Sequence, residues 1–181
     1  MLYSYKILRK ENVSEILLTQ LPEQAGVAAK IFSLIAEKGI NVVLIQHIYT
    51  GTVGGDAAVF VARDDVSDAF AILERHKGQI GVQTVAKKEG FTLLSICSHE
   101  SRSHKNFCLD IHRALCRESI PVEIFSLAGS NINVVLPENQ VEPAMSSFER
   151  FLGEPIISLV QQQALPGRIG PATTLLLKNR S

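Results

Sequence analysis

Apolar residues recur along the chain at two spacings, which predict helices and strands in a repeating order. Residues 26–38 carry apolar side chains at intervals of three and four, which is typical of an amphipathic helix. Short β-branched runs such as 40–49 are typical of strands. The elements predicted for this part of the chain are a strand at 15–21, a helix at 26–38, strands at 40–49 and 56–62, a helix at 66–78 and a strand at 79–87.

The same order of elements returns in the second half of the chain. A shift of about 80 residues places Ile40 on Ile120, and after the next hairpin a shift of about 75 places Glu74 on Glu149. The sequence therefore predicts two diverged copies of one unit. The second copy has predicted strands at 91–98, 121–127, 131–137 and 155–163, and predicted helices at 106–118 and 139–152.

The predicted fold is of the α+β class, with two ferredoxin-like βαββαβ units in tandem. Each unit has an antiparallel sheet with its helices on one face. We expect the first unit at 1–88, the second at 89–163, and a tail at 164–181. An extra strand is predicted at Tyr5–Arg9, and the segment "TTLLLK" of the tail is predicted to be an edge strand or a docking segment.

Composition and charge narrow the classes of function. Hydrophobic residues make up 46% of the chain and charged residues 20%, which favours a packed core over disorder. The net charge is zero and basic aromatic stripes are missing, so direct nucleic-acid binding is not expected. No apolar run suits a membrane span or a signal peptide. Three cysteines without framework spacing favour a reducing, cytoplasmic location.

The segment Pro22–Phe32, "PEQAGVAAKIF", followed by "GINV" at 39–42, resembles the first motif of ACT domains. As a whole, the chain resembles the tandem ACT region at the C-terminus of aspartate kinases, over about residues 14 to 161. The stretch Arg102-Ser103-His104 is similar to the start of the second ACT unit of that family. The kinase domain that precedes this region in the family is not part of the sequence.

This resemblance implies an allosteric amino-acid sensor that is not itself an enzyme and has no cofactor. In the family, a small amino acid, lysine or threonine, is held between ACT units of a dimer, and the change is communicated to an enzyme partner. The matching ligand-binding positions in this sequence are Glu23, Gln24, Ala25, Gly26, Val27, Ala28, His47 and Asp56. Arg102, Ser103 and His104 are the corresponding contacts expected from the second unit.

The residue types agree with that role, although some positions depart from the family. The first amides of a helix suit a carboxylate, and an acidic side chain suits an ammonium group. Ala25 replaces a usual proline, Gly55 a usual threonine, and Lys105-Asn106 a usual Pro-Gly. His47 stands where the family usually has glutamine. The resemblance therefore implies the backbone contacts of the family more strongly than its side-chain specificity.

Each candidate position also has an alternative interpretation. The "EQAG" turn can simply turn the chain, and His47 can be a satisfied core or interface histidine. The polar stretch 98–106 is interpreted as a solvated loop or an anion-binding loop, because it lacks the strained elbow of a serine hydrolase.

Three potential metal ligands recur at intervals of four on one predicted helix. Cys108, His112 and Cys116 share a helix face, but they replace Ala28, Phe32 and Ala36 of the first copy. We therefore expect them to pack in the core, and no metal site is predicted. For the whole chain, two alternatives to amino-acid sensing stay open. One is an ACT regulator linked to transcription, similar to the glycine-cleavage repressor class, that acts through protein contacts, and the other is a dimerisation scaffold without a ligand.

Overall fold

The computed structural model describes residues 5–49, 54–98, 104–128, 131–153, 157–161 and 173–176. The strands are β1 Tyr5–Leu21, β2 Val42–Tyr49, β3 Gly55–Ala62, β4 Thr84–Ser98, β5 Ile124–Ala128, β6 Asn131–Pro137, β7 Ile157–Gln161 and β8 Thr173–Leu176. The helices are α1 Val27–Ala36, α2 Val66–Ile80, α3 His104–Arg117 and α4 Val141–Leu152, with short 3₁₀ turns at Arg63–Asp65 and Glu138–Gln140. This mixed α+β architecture confirms the predicted fold class. None of the described helices is long and apolar enough to cross a membrane.

Residues Asn12–Gly90 form one compact unit with the predicted βαββαβ order of elements. The strands lie in the order β2-β3-β1-β4, and β3 is antiparallel to both β1 and β2. Alternate residues of β1, Ile16 and Leu18, face the helices together with Val59 of β3. The helices supply Ile31 of α1 and Leu73 of α2 to the same core. Buried side chains alternate along the strands and recur about every 3.6 residues along the helices. The apolar faces of the sheet and of the helices therefore pack against each other in one core.

The remaining residues, Met1–Glu11 with Phe91–Ser181, form a second compact unit. Its core joins Leu94 of β4 and Val134 of β6 to Phe107 of α3 and Phe148 of α4, and all four side chains are fully buried. Between the two helices, the Ser147 hydroxyl donates a buried hydrogen bond of 2.8 Å to the Ala114 carbonyl. This bond satisfies a hydroxyl that would otherwise be costly to bury.

The N-terminal strand belongs to this later unit, which differs from the boundary expected from the sequence. The strand predicted at Tyr5–Arg9 is present as the start of β1, but its residues pair in parallel with β7, Lys6 opposite Ile157 and Lys10 opposite Gln161. The strand order in this unit is therefore β8-β7-β1-β4-β6-β5. The sequence predicted β7 as the fourth strand of the second unit, and in the structure the N-terminal segment lies between β7 and β4. The tail strand β8 pairs with β7, as the edge-strand alternative predicted.

Tyr5 anchors the N-terminal strand in the core. Its side chain is fully buried, its ring lies 5.7 Å from that of Phe107, and its hydroxyl donates a 2.6 Å hydrogen bond to the Gly153 carbonyl. Arg9, further along the strand, forms ion pairs with Glu11 and Glu142. A segment distant in sequence is thus held by packing and by polar contacts.

We predict that Tyr5→Ala lowers the free energy of unfolding by about 3 to 5 kcal/mol, because it empties a large buried volume. Tyr5→Phe removes only the hydrogen bond and costs about 1 kcal/mol. The control Lys6→Ala, at an exposed neighbouring position, changes stability by less than about 0.5 kcal/mol. Urea unfolding measures the free energy of unfolding of all three variants and of the wild type.

Amide hydrogen exchange shows which residues lose protection in the Tyr5→Ala variant. Protection should fall in residues 91–153 and persist in residues 12–90, because Tyr5 packs only into the core of the later unit. Equal loss of protection in both ranges would contradict the assignment of the N-terminal strand.

Candidate functional site

The turn before α1 folds tightly around a glycine. The Gln24 amide donates to the Pro22 carbonyl at 2.9 Å, and the Val27 amide donates to the Gln24 carbonyl at 3.4 Å. Gly26 is the N-cap residue of α1 and has a φ of 91°, in the left-handed region where a side chain is strained. The glycine of the "EQAG" turn is therefore required by the backbone conformation.

The positive end of the helix dipole of α1 is not offset by any side chain of its own first turn. Gly26 offers no side-chain cap, and the first turn contains no acidic residue. The starts of α2 and α4 differ, because they carry Asp68 and Glu142 in their first turns. Helical geometry leaves the amides of Ala28 and Ala29 without intrahelical acceptors, so they suit an anionic group.

Asp56 ties the hairpin strand β3 to the end of β1. Its Oδ1 atom accepts a hydrogen bond of 3.0 Å from the Gln20 amide. Gln20 has a φ of 54°, and the β1–β3 register shifts between Leu18 and Leu21. A carboxylate thus holds an irregular strand end that leads directly into the turn at the start of α1.

Two glycines allow close packing around this strand end. A Cβ at Gly54 would lie 2.7 Å from the Leu21 carbonyl oxygen, and one at Gly81 would lie 3.0 Å from Pro22 Cγ. Both glycines also have positive φ values, 76° and 89°. The backbone before and within the turn is therefore fixed by contacts from the hairpin and from the end of α2.

A pocket of about 320 Å³ opens between the turn, the start of α1 and the strand ends. Its lining residues are Leu21, Pro22, Glu23, Gln24, Ala25, Gly26, Val27, Ala28, His47, Gly55 and Asp56. All eight first-unit positions implied by the family resemblance lie in this lining. Leu21, Pro22 and Gly55 were not among them, although Pro22 begins the matching motif and Gly55 precedes Asp56. The structure thus brings the eight positions together, and their role in binding stays a prediction.

His47 reaches this pocket from the strand β2. It lies opposite Ala57 in the β2–β3 pair and is half-buried. Its position is consistent with both interpretations of the sequence, an interface histidine and a ligand contact.

The second-unit positions are only partly within the described residues. Arg102 and Ser103 lie outside them, and His104 is described only as the first residue of α3. Their predicted contacts with a ligand stay predictions.

The expected core packing of Cys108, His112 and Cys116 is wrong for two of the three. Cys108 is half-buried and packs against the core of its unit, but His112 and Cys116 are exposed. Their first-unit counterparts Phe32 and Ala36 are exposed as well, because these positions follow the outer edge of the helix. In the described ranges, no cluster of three or more His, Cys, Asp or Glu side chains is arranged to hold a metal ion.

Part of the chain matches a known protein family, and most of it is similar to known proteins. The ACT domain family model matches residues 16–81. The chain is similar to an aspartokinase of Mycolicibacterium smegmatis, with 25% identity over 149 residues, 81% of this chain and 35% of that protein. The chain therefore spans about a third of the length of this relative.

Solved structures show the same fold. The ligand-free regulatory subunit of aspartate kinase from Thermus thermophilus aligns with a TM-score of 0.72 at 22% identity, covering 83% of this chain and 99% of that one. E. coli aspartokinase III in complex with lysine and aspartate, in its T-state, aligns with a TM-score of 0.56 at 15% identity, covering 83% of this chain and 33% of that one.

We predict that Gly54→Ala destabilises the protein by about 1 to 3 kcal/mol, because the new Cβ strains the backbone and collides with the Leu21 carbonyl. The matched control is Gly78→Ala in α2, where an added Cβ meets nothing within 4 Å. There the same substitution should stabilise by up to about 1 kcal/mol, since alanine favours a helix.

Urea unfolding gives the stability difference, and amide NMR shifts show where the strain falls. Shifts concentrated in residues 20–26 are expected for Gly54→Ala. A Gly54→Ala protein as stable as wild type would refute the close contact.

Proposed function

We propose that the protein is an amino-acid-sensing allosteric regulator, because residues 16–81 match the ACT domain family model and the chain is similar to regulatory regions of aspartate kinases. The observation that carries the proposal is the pocket at the start of α1. It combines an uncapped helix N-terminus with the carboxylate of Asp56. A zwitterionic amino acid has the two opposite charges that such a site complements.

The carboxylate of the ligand would lie at the helix N-terminus. The first-turn amides point toward this end of the helix, and Gly26 has no side chain to obstruct the approach of a ligand. An anion here also offsets the positive end of the helix dipole, which contributes roughly 0.3 to 1 kcal/mol at an exposed site.

The ammonium group of the ligand would pair with Asp56. The Gln20 amide uses one lone pair of this carboxylate, so acceptor capacity and the full negative charge are retained for a cation. Glu23 adds a second acidic side chain to the same pocket. Because the Asp56 carboxylate also holds the end of β1, a bound ammonium would act directly on the strand that leads into the turn.

The side chain of the ligand is specified less strongly than its backbone groups. Lysine and threonine are the ligands implied by the family resemblance, and the related E. coli fold was solved with lysine and aspartate. Gly55, in the place of a usual threonine, removes a hydroxyl from the lining and adds room. We rank lysine and threonine first and include the other amino acids in the test.

Regulation requires a partner and two states. The residues Glu23, Gln24 and Ala25 of the turn are exposed, so a ligand in this pocket is open to solvent on one side. We propose that an ACT unit of a second copy closes this side, and that an enzyme partner responds to the resulting arrangement. A ligand that binds the closed arrangement more tightly shifts the population toward it.

We predict that wild-type protein is stabilised by one or a few amino acids in a thermal-shift panel, with lysine or threonine the strongest. At a concentration 100 times Kd, one bound ligand adds about 2.7 kcal/mol of stability. Asp56→Asn should abolish this response, because it removes the charge but keeps an amide oxygen that can accept the Gln20 hydrogen bond. Calorimetry then measures the loss of affinity.

The control Asp64→Asn makes the same chemical change at an exposed position outside the pocket lining. It should leave the ligand response unchanged. A response to glycine alone would favour the transcription-linked alternative. No response to any amino acid at millimolar concentration would favour the ligand-free scaffold and refute the sensor.

A further inference from the structure

The outer edge of α3 presents a cysteine and a histidine to solvent, side by side. His112 and Cys116 are four residues apart and therefore lie one turn apart on the same face. Leu109, on the same edge, leaves 45% of its surface exposed. This edge lies in the unit built from Met1–Glu11 and Phe91–Ser181, whereas the pocket at the start of α1 lies in the other unit.

The two side chains are spaced as ligands of a single metal ion would be. The distance from Cys116 Sγ to His112 Nδ1 is 3.5 Å. Zinc bonds of about 2.3 Å to sulfur and about 2.1 Å to nitrogen, at a tetrahedral angle, place the two ligand atoms about 3.6 Å apart. The separation of these two atoms therefore matches that of two ligands of one soft divalent cation.

The imidazole ring is already oriented by packing. The His112 ring meets the ring of Phe125 edge to face, with centroids 5.5 Å apart and an interplanar angle of 82°. Such a contact restricts the ring and leaves Nδ1 directed at the thiol. Restricting a ligand before the metal arrives lowers the entropic cost of binding.

The remaining positions of a tetrahedral site are not filled from the same helix. Cys108 lies eight residues before Cys116, about 12 Å along the helix axis, and it packs against the core. Among the residues that the structure describes, no third His, Cys, Asp or Glu joins the pair. One chain thus offers two of the four ligands that structural zinc sites use.

We propose that His112 and Cys116 are half of a soft-metal site that a second copy of the chain completes. In an isologous interface the same patch of both copies meets across a two-fold axis. If this axis passes through the metal position, His112 and Cys116 of the second copy supply the missing histidine and cysteine. The result is a Cys₂His₂ set, the donor set preferred by zinc. The exposed Leu109 of each copy adds apolar surface beside the metal.

Metal binding in this site has a defined proton balance. Each thiol loses its proton to solvent as the thiolate forms its bond to the metal, and each histidine binds through a neutral nitrogen. One metal ion that bridges two copies therefore displaces up to two protons from the cysteines and involves no change of oxidation state.

The experiment uses tag-free full chain, treated with chelator and kept reduced, titrated with Co²⁺ as a spectroscopic substitute for Zn²⁺. We expect one metal ion per two chains and the absorption of tetrahedral cobalt bound to thiolate. Cys116→Ser and His112→Gln should each lose these bands. The matched controls Cys108→Ser and Cys97→Ser, at half-buried thiols, should keep them. Zinc should displace the cobalt and raise the dimeric fraction in sedimentation equilibrium.

Two results would overturn the proposal. One is thiolate-to-cobalt absorption that survives in Cys116→Ser, which would assign the metal to other cysteines. The other is a saturating ratio of one metal ion per chain without any change in mass, which would exclude the shared site. Neither result depends on whether the protein binds an amino acid.

Discussion

Strand β1 supplies buried side chains to two different hydrophobic cores. Tyr5 and Ile7 are buried in one core, and Ile16 and Leu18 are buried in the other. Hydrogen bonding along the strand connects residues of the sheet that lie far apart in the sequence, while alternate side chains supply apolar contacts. The strand order, the position of the N-terminal segment and the irregular end that shapes the pocket all depend on this one element.

The repeated order of helices and strands could be predicted from the sequence because it depends on local periodicity. Pairing between distant segments is not encoded in that periodicity. The apolar run of Tyr5–Arg9 predicted a strand, but nothing local indicated that it would lie between β7 and β4. The burial expected for His112 and Cys116 was wrong because the first-copy positions that they replace were assumed to be buried, and those positions are exposed too. Phe32 shows the reason, since even this large apolar side chain is 38% exposed at the equivalent position.

The residues of the candidate site could be predicted from the sequence, but the contacts that hold them in place could not. The turn and the first helical residues are consecutive, so one motif places six of the eight expected residues together. Asp56 comes from about 30 residues further along the chain, and its second contact, with the Gln20 amide, depends on the bulge at the end of β1. The close approach of Gly54 to Leu21 depends on tertiary packing, and glycine-rich composition alone does not reveal it.

The placement of one unit within the sequence of the other has a consequence for synthesis. Residues Asn12–Gly90 are contiguous, so this unit can fold on the ribosome as soon as it has emerged. The residues Lys6–Lys10 are made before this unit, but they pair with β7, which is made after it. When the unit Asn12–Gly90 folds, it pairs β1 with β4. This pairing shortens the chain loop that must be closed between the start of β1 and the residues after Phe91. The order of translation thus favours folding of the unit Asn12–Gly90 before the start of β1 finds its partner strand.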